Sequence, residues 1–353
     1  MGRVLKKSVA TALAVIMILS LCTGLTGCGD GRTKLYVYNW GEYIDEEVLE
    51  IFEQEYPQYN VIYDTFATNE EMYQKVASGS VAYDVLIPSD YMIERMVKED
   101  FLVEIDTSSM ENYGKIKSSL LGTPFDPEEK YSVPYMWGTL GIIYNTKMVD
   151  EEVDSWSVLW DKKYEGQILM LESVRDTLGF SLKRLGYSLN TTSEKEINEA
   201  RDELIKAKPL FADWGVDTIK DPIKNGHYAF GVTWSGDAME IMSENEDIAY
   251  VVPKEGSNFW IDAMVIPKTS KNIDGAKLFI DFMCRTDIAL MNAEEIGYST
   301  PQMEVLDILG EDYINDEVYN PPEEIIENCE VFVDLGEHLI AYNSAWEKIR
   351  LFS

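Results

Sequence analysis

The chain has 353 residues, of which 46% are hydrophobic and 26% charged, a composition typical of a soluble globular protein with about two domains. Its 30 basic and 63 acidic residues give a net charge of −33. This balance argues against nucleic acid as a partner, because phosphates attract basic surfaces, and it favours the attraction of cations.

The N-terminal segment is predicted to lie outside the fold. Three basic residues, a short apolar run and a few small residues follow one another there, which is the pattern of a secretion signal rather than of a spanning helix. The tetrapeptide Leu-Thr-Gly-Cys that ends at Cys28 resembles the bacterial lipobox, in which the cysteine is lipidated; the alternative is a plain signal peptide. We therefore expect a lipoprotein signal peptide at 1–27, a tether at 28–33 and a lipid anchor at Cys28.

Strands and helices alternate in the first third of the remaining chain. The predicted strands are 34–38, 60–66 and 83–88, and the predicted helices are 44–56, 70–77 and 92–99. The third strand is continuously apolar, as in buried parallel strands. This alternation indicates a doubly wound α/β domain.

The same rhythm restarts after about residue 138. Further strands are predicted at 140–145 and 166–171, and further helices at 177–185, 194–206, 273–283, 287–296 and 342–351. No Gly/Ser or Pro linker separates the two halves of the chain. We therefore expect two lobes that are joined by short crossings, with the ligand between them.

Residues 228–268 combine aromatic and acidic side chains at strand ends. A strand is predicted to end at Trp234, a tight Ser-Gly turn to follow, and a helix to begin at Asp237; a later strand carries Trp260 and Asp262. Ligands of open α/β sheets bind at such strand ends. Aromatic faces beside carboxylates suit a ligand that is apolar along its length and cationic at its ends.

Motifs for metal, nucleotide or nucleophilic chemistry are missing from the sequence. It contains no HExxH, P-loop, G-x-S-x-G or CxxC, and its two histidines have no metal-type spacing. We expect no catalytic residue, no metal and no cofactor. Cys284 and Cys329 are predicted either to form a disulfide or to be two buried thiols.

Several short segments resemble, in the same order, the spermidine/putrescine-binding family of ABC-transporter substrate-binding proteins. They include Tyr38-Asn39-Trp40, Trp234-Ser235-Gly236, Phe259-Trp260-Ile261-Asp262 and Gly297-Tyr298-Ser299-Thr300-Pro301, together with residues 65–72, 83–89 and 133–138. The resemblance implies an α/β, two-lobed periplasmic-binding-protein clamshell (type II), each lobe a mixed sheet flanked by helices, with two hinge crossings. Lobe 1 would comprise 31–137 and 262–306, and lobe 2 would comprise 138–261 and 307–353.

The resemblance also implies a set of ligand-binding residues. They are Trp40, Tyr43, Ser89, Tyr91, Asp176, Trp234, Asp237, Trp260, Asp262 and Tyr298. Trp234 and Trp260 would sandwich an alkyl chain, and Asp262 would pair with an amine, because a buried ammonium needs a counter-charge. Core packing of the aromatic residues and helix capping by Ser89 and Asp237 are the structural alternatives.

The choice of polyamine stays open at this point. Two residues favour the shorter diamine, putrescine. One is Asp237, and the other is Ser173, which occupies a position where spermidine binders of the family tend to carry an aspartate. The roles of Glu42, Glu172 and Glu347 also stay open.

The function implied by the resemblance is extracellular capture of putrescine, spermidine or both, and delivery to an ABC transporter permease. The protein would be a monomer, anchored by lipid to the outer face of the cell membrane, and it would not be an enzyme. One alternative keeps the clamshell and binds another small cationic or neutral solute. A remote alternative is a secreted hydrolase with paired carboxylates such as Asp237 and Asp262.

Overall fold

The computed structural model describes residues 31–351, so the predicted signal peptide and Cys28 lie outside the described residues. The strands are β1 (Thr33–Trp40), β2 (Tyr59–Phe66), β3 (Val85–Leu86), β4 (Ser132–Asn145), β5 (Ile168–Leu171), β6 (Phe211–Gly215), β7 (Phe230–Trp234), β8 (Ile248–Val251) and β9 (Phe259–Val265). The helices are α1 (Glu46–Glu55), α2 (Asn69–Ala77), α3 (Asp90–Lys98), α4 (Val174–Arg184), α5 (Glu194–Ala207), α6 (Lys220–Lys224), α7 (Ser235–Glu244), α8 (Ile273–Met283), α9 (Thr286–Ile296), α10 (Met303–Leu309), α11 (Glu311–Ile314), α12 (Glu323–Ile326) and α13 (Leu339–Leu351).

The strands form one mixed sheet in the order β2-β1-β3-β9-β4-β7-β5-β6, with β8 paired to β4. At one end, β1 runs parallel to both β2 and β3, and at the other β5 runs parallel to β6 and β7. The pairs in the middle, β3 with β9 and β4 with β9 and β7, are antiparallel. Each half is therefore a parallel α/β unit, and antiparallel strands join the two.

Strand β4 links the two halves of the sheet. Its first part pairs with β9 from Ser132 to Thr139, and its second part pairs with β7 from Leu140 to Tyr144. The prediction of a strand limited to 140–145 is wrong: β4 has 14 residues, because its first part finds a pairing partner in β9. The connection between the halves is thus itself a strand.

The two largest groups of buried apolar side chains lie in different halves of the sheet. One packs α1, α8 and the first strands around Val37, Phe52 and Phe279. The other packs α4, α5 and α13 around Ile142 and Trp156. Each half of the sheet thus has its own core and its own helices, and the fold is a two-lobed clamshell of the type II periplasmic-binding-protein class.

Most helices begin within two residues of their predicted starts, because their capping residues are readable. Asp45 accepts from the backbone N–H of Glu47 at the start of α1, and Asn272 caps α8 in the same way. Helix α4 begins three residues before its predicted start because Ser173 caps it.

The predicted Ser-Gly turn before α7 is wrong. Residues Ser235 and Gly236 belong to the helix, and Trp234, in an extended conformation, is the residue that precedes it. The Ser235 hydroxyl accepts from the backbone N–H of Thr139, 3.2 Å away, and so serves β4 rather than a turn.

Cys284 is buried, Cys329 is half-buried, and both are free thiols. Of the two arrangements that the sequence leaves open, the disulfide is therefore not formed. No helix between residues 31 and 351 has the length and apolar character that crossing a membrane requires.

Candidate ligand-binding site

Asp262 is the centre of the best-formed group of predicted site residues. It lies on β9, where it pairs with Met136 of β4 on one side and forms an isolated bridge with Ser89 on the other. The Tyr43 hydroxyl donates to its Oδ2 atom at 2.9 Å, and the Ser89 side chain is its other polar neighbour. A loop, a helix start and a strand thus meet at one carboxylate.

The Asp262 carboxylate is buried, and it forms no ion pair with another residue in the described range 31–351. The residue is 7% exposed. Burial raises the pKa of Asp262 to about 6, although the hydrogen bonds from Ser89 and Tyr43 act in the opposite direction. Burial also raises the pKa of Tyr43 well above its usual value, and the nearby Asp262 charge adds to that shift. A cation placed here would relieve the cost of burying this carboxylate.

Aromatic rings surround this carboxylate. The rings of Trp260 and Tyr298 meet edge to face with centroids 5.1 Å apart, and Tyr43 meets Tyr298 at 6.1 Å. The indole N–H groups of Trp40 and Trp260 are buried and have no acceptor among residues 31–351. The indole of Trp260 packs against Gly138. A Cβ at position 138 would lie 2.6 Å from the indole, so a larger residue would displace it.

Asp176 and Trp234 form a second group. Asp176, in the first turn of α4, accepts from the Ser173 hydroxyl at 2.6 Å and from the Asn258 amide at 3.2 Å. The indole of Trp234 is a further side-chain neighbour of this carboxylate. Burial raises the pKa of Asp176, and these donors and the charge of the neighbouring Arg175 partly offset the shift.

Asp237 lies beside the first group but has a partner of its own. Its Oδ1 atom is 2.6 Å from the Nζ atom of Lys220, and its Oδ2 atom accepts from the Thr233 hydroxyl. Asp237 lies in the first turn of α7, next to Gly236, which faces the ring of Tyr298. A Cβ on Gly236 would lie 2.1 Å from that ring. The charge of Asp237 is, after burial, the largest contribution to the raised pKa of Tyr298.

Trp40 and Tyr91 have other neighbours. The Trp40 ring packs on Phe66 at 4.5 Å. The Tyr91 hydroxyl accepts from Asn69 and donates to Glu70, both at 3.1 Å. Neither residue contacts the three carboxylates through a hydrogen bond in the described part of the chain, so their assignment to the site stays a prediction.

The three glutamates with open roles do not join these groups. Glu42 is exposed and adopts a positive φ of 50° in the loop after β1. Glu172 forms an ion pair with Arg350 of α13 at 3.0 Å. Glu347 is an exposed residue of the same helix.

Sequence reasoning missed four residues beside the predicted site: Asp90, Arg175, Lys220 and Asn258. Asp90 is 1% exposed, and burial raises its pKa well above the usual range. Arg175 is held by Asn190 and by the Val333 carbonyl. No local pattern distinguishes such buried polar residues from ordinary helix-start or turn residues, so only the tertiary structure identifies them.

The arrangement offers carboxylates and aromatic faces, and it offers no metal site. Between residues 31 and 351 no group of three or more His, Cys, Asp or Glu side chains is arranged to hold a metal ion. Carboxylates with aromatic neighbours are suited to binding organic cations by charge pairing and by contact with ring faces.

Comparison with known families agrees with this geometry. Residues 47–321 match the model of the family described as bacterial extracellular solute-binding protein. The chain belongs to this family. A spermidine/putrescine-binding periplasmic protein of Escherichia coli is 37% identical to this solute-binding protein over 334 residues, which cover 94% of this chain and 96% of the relative.

Solved structures show the same likeness over most of the chain. A spermidine/putrescine ABC transporter substrate-binding protein of Streptococcus pneumoniae is 41% identical, with a TM-score of 0.83 and coverage of 91% of this chain and 99% of that one. A lipoprotein of Treponema pallidum is 26% identical, with a TM-score of 0.80 and coverage of 90% and 99%. The family places this solute-binding protein outside the cytoplasm.

Proposed function

We propose that this protein captures a polyamine, putrescine or spermidine, outside the cell and delivers it to the permease of an ABC transporter. The observation that carries the proposal is the buried Asp262 carboxylate, which is held by Tyr43 beside the rings of Trp260 and Tyr298. The names of the similar proteins from E. coli and S. pneumoniae, which refer to spermidine and putrescine, support it.

The chemistry of the ligand matches that of the carboxylates. Polyamine amines have pKa values of about 10 by analogy with lysine, so the ligand is a dication or a trication at neutral pH. One ammonium group would pair with Asp262 and another with Asp176. The rings of Trp234, Trp260 and Tyr298 would line the methylene chain, with cation–π contacts of about 0.5–2 kcal/mol each at the ammonium ends.

Binding and release would use the two lobes. With lobe 1 as residues 31–137 and 262–306, and lobe 2 as residues 138–261 and 307–353, Asp262 and Asp176 come from different lobes. A ligand that pairs with both would hold the lobes closed, and the closed form would dock on the permease. No bond of the ligand is made or broken, so the protein is a carrier and not an enzyme.

The same proposal covers the location of the protein. Cleavage before Cys28 and lipidation of that residue would anchor the monomer to the outer face of the cell membrane. The short tether up to residue 33 would leave the clamshell free to meet the permease.

Equilibrium dialysis with labelled putrescine and spermidine tests this function. A carrier retains the label and, on denaturation, returns it chemically unchanged in an amount equal to that bound. Conversion of the polyamine to a product would contradict the carrier function and support a hydrolase. Retention of a neutral sugar or amino acid in place of both polyamines would support a different solute.

A further inference from the structure

Lys220 forms an ion pair beside the proposed cleft. It lies in none of the segments that resemble the spermidine/putrescine-binding family. Its Nζ atom lies 2.6 Å from Oδ1 of Asp237, and the Asp237 side chain is only 11% exposed. A second acid, Asp217, lies 3.4 Å from the same nitrogen but is 86% exposed. Burial lowers the pKa of Lys220, but the hydrogen bond and charge of Asp237 outweigh it, so the pKa is raised and the ammonium stays charged.

The hydrogen bonds of the other two carboxylates of the proposed site come from neutral groups, and Asp176 also feels the charge of the neighbouring Arg175. Asp262 accepts from the hydroxyl of Tyr43, and Asp176 accepts from Ser173 and Asn258. Among the ion pairs found within residues 31–351, Asp237 is paired with Lys220, and neither Asp262 nor Asp176 takes part in one. Of the three carboxylates, Asp237 is therefore the one with a close ion pair built into the described part of the protein.

We propose that Lys220 is a specificity-determining residue whose ammonium occupies Asp237 in place of a ligand amine, so that the cleft prefers diamines to triamines. This inference rests on the proposed function, because it concerns which polyamine the same cleft takes.

The preference follows from charge pairing. The two ammonium groups of a diamine would meet Asp262 and Asp176, whose carboxylates accept hydrogen bonds from neutral groups. A third ammonium group directed to Asp237 would face the Lys220 ammonium, and like charges placed together cost affinity. Displacing Lys220 instead would leave a partly buried lysine without its close partner.

Substitution of Lys220 in the full chain tests the inference by calorimetric titration with putrescine and spermidine. The wild type is expected to bind spermidine no more tightly than putrescine. In Lys220→Met, Asp237 has no cation, and spermidine affinity should rise by about tenfold or more relative to putrescine, because a like-charge contact is removed. Adding Asp237→Asn to this variant should abolish the gain.

Two control variants separate this effect from a general change in charge. Lys224→Met removes another lysine of helix α6. The side chains of its partners, Asp221 and Glu244, are 80% and 52% exposed. Lys220→Arg keeps a cation next to Asp237. Both should keep the wild-type ratio of affinities.

The possible results are distinguishable. If Lys220→Met does not fold, Lys220→Gln removes the charge while keeping a hydrogen-bond donor, and the same shift in ratio is expected. If the ratio of spermidine to putrescine affinity is unchanged in the variants that lack the charge, or if both affinities rise equally, the proposed role of Lys220 is wrong. The proposed function would not be affected by either result. Failure of the wild type to bind either polyamine would overturn the proposed function as well.

Discussion

At the scale of single residues, the buried Asp262 carries the largest expected effect. Asp262→Asn keeps the size of the side chain and removes the charge that an ammonium group would meet. We expect putrescine to bind more weakly by about 2–5 kcal/mol, the range for truncating one partner of a buried charge pair. Calorimetric titration measures this change. Asp307→Asn, an exposed aspartate of α10, is the matched control and should bind like the wild type; equal affinities in both variants would remove Asp262 from the site.

The pH dependence of binding follows from the same residue. Because the pKa of Asp262 is raised to about 6, the ligand-free carboxylate takes up a proton as the pH falls through 6. An ammonium group binds only the ionised form. Affinity should therefore be constant above about pH 7 and weaken by up to about tenfold for each pH unit below 6. Asp90 and Asp176, whose pKa values burial also raises, act in the same direction.

Titrations between pH 5 and 8 check this dependence. The Asp262→Asn variant should show a shallower pH profile than the wild type, because one of the protonating groups is gone. A wild-type affinity that rises as the pH falls below 6 would contradict the assignment.

At the scale of elements, the start of α7 is fixed by the ring of Tyr298. A methyl group at Gly236 would lie 2.1 Å from that ring, so Gly236→Ala must displace the ring or the helix. We expect a loss of about 1–3 kcal/mol in the free energy of unfolding, the range for overpacking, together with weaker polyamine binding. Thermal or denaturant unfolding measures the first effect and calorimetry the second.

Gly179→Ala is the matched control for that substitution. Gly179 lies inside α4, where an added Cβ would meet its nearest neighbour at an ordinary 3.4 Å. Alanine is favoured over glycine in a helix interior by about 0.5–1 kcal/mol, so this variant should be neutral or slightly more stable. If Gly236→Ala behaves like Gly179→Ala, the contact with Tyr298 does not constrain the helix.

The elements also show what could be predicted from sequence. Helices α1, α5 and α8 were predictable because apolar spacing and capping residues agree. Strand β6 was missed because its FADWG sequence exposes its middle residues, and α6 was missed because Pro222 reads as a helix breaker. The missed α6 carries Lys220, and for that reason the sequence did not indicate a partner for Asp237.

The sequence could predict candidate residues for the site, but it could not predict which other residues they contact. The resemblance assigned Asp262 and Tyr43 to the site, but their hydrogen bond joins residues 219 positions apart, which no local pattern encodes. The same holds for Asn258, just before β9, and Asp176, in α4, which only the tertiary fold brings together.

At the scale of the whole molecule, contacts away from the cleft join the two proposed lobes. The Oε2 atom of Glu94, on α3, accepts from the backbone N–H of Asp334 at 2.6 Å. Lys98 pairs with Glu94 at 2.7 Å and lies 3.6 Å from the Asp334 carboxylate. With α3 in lobe 1 and Asp334 in lobe 2, these bonds would help to hold the closed form.

Glu94→Ala removes this acceptor. Hydrogen bonds to charged groups contribute about 1.5–3 kcal/mol, so the ligand should dissociate roughly tenfold faster or more from the variant. Stopped-flow tryptophan fluorescence measures the rate. Glu99→Ala, on the neighbouring turn, breaks only contacts with Arg95 and Tyr73 of the same lobe and should leave the rate unchanged. An identical rate in the wild type and Glu94→Ala would exclude a role for this contact in closure.

Calorimetric titration of the protein at neutral pH tests whether the cleft holds a polyamine. The ligands are putrescine, spermidine, spermine and agmatine, with a neutral sugar and a neutral amino acid as controls. We predict 1:1 binding of at least one polyamine with a Kd below about 100 μM and no heat from the neutral solutes. Binding of a neutral solute, with no polyamine bound below that concentration, would show that the cleft does not serve polyamines.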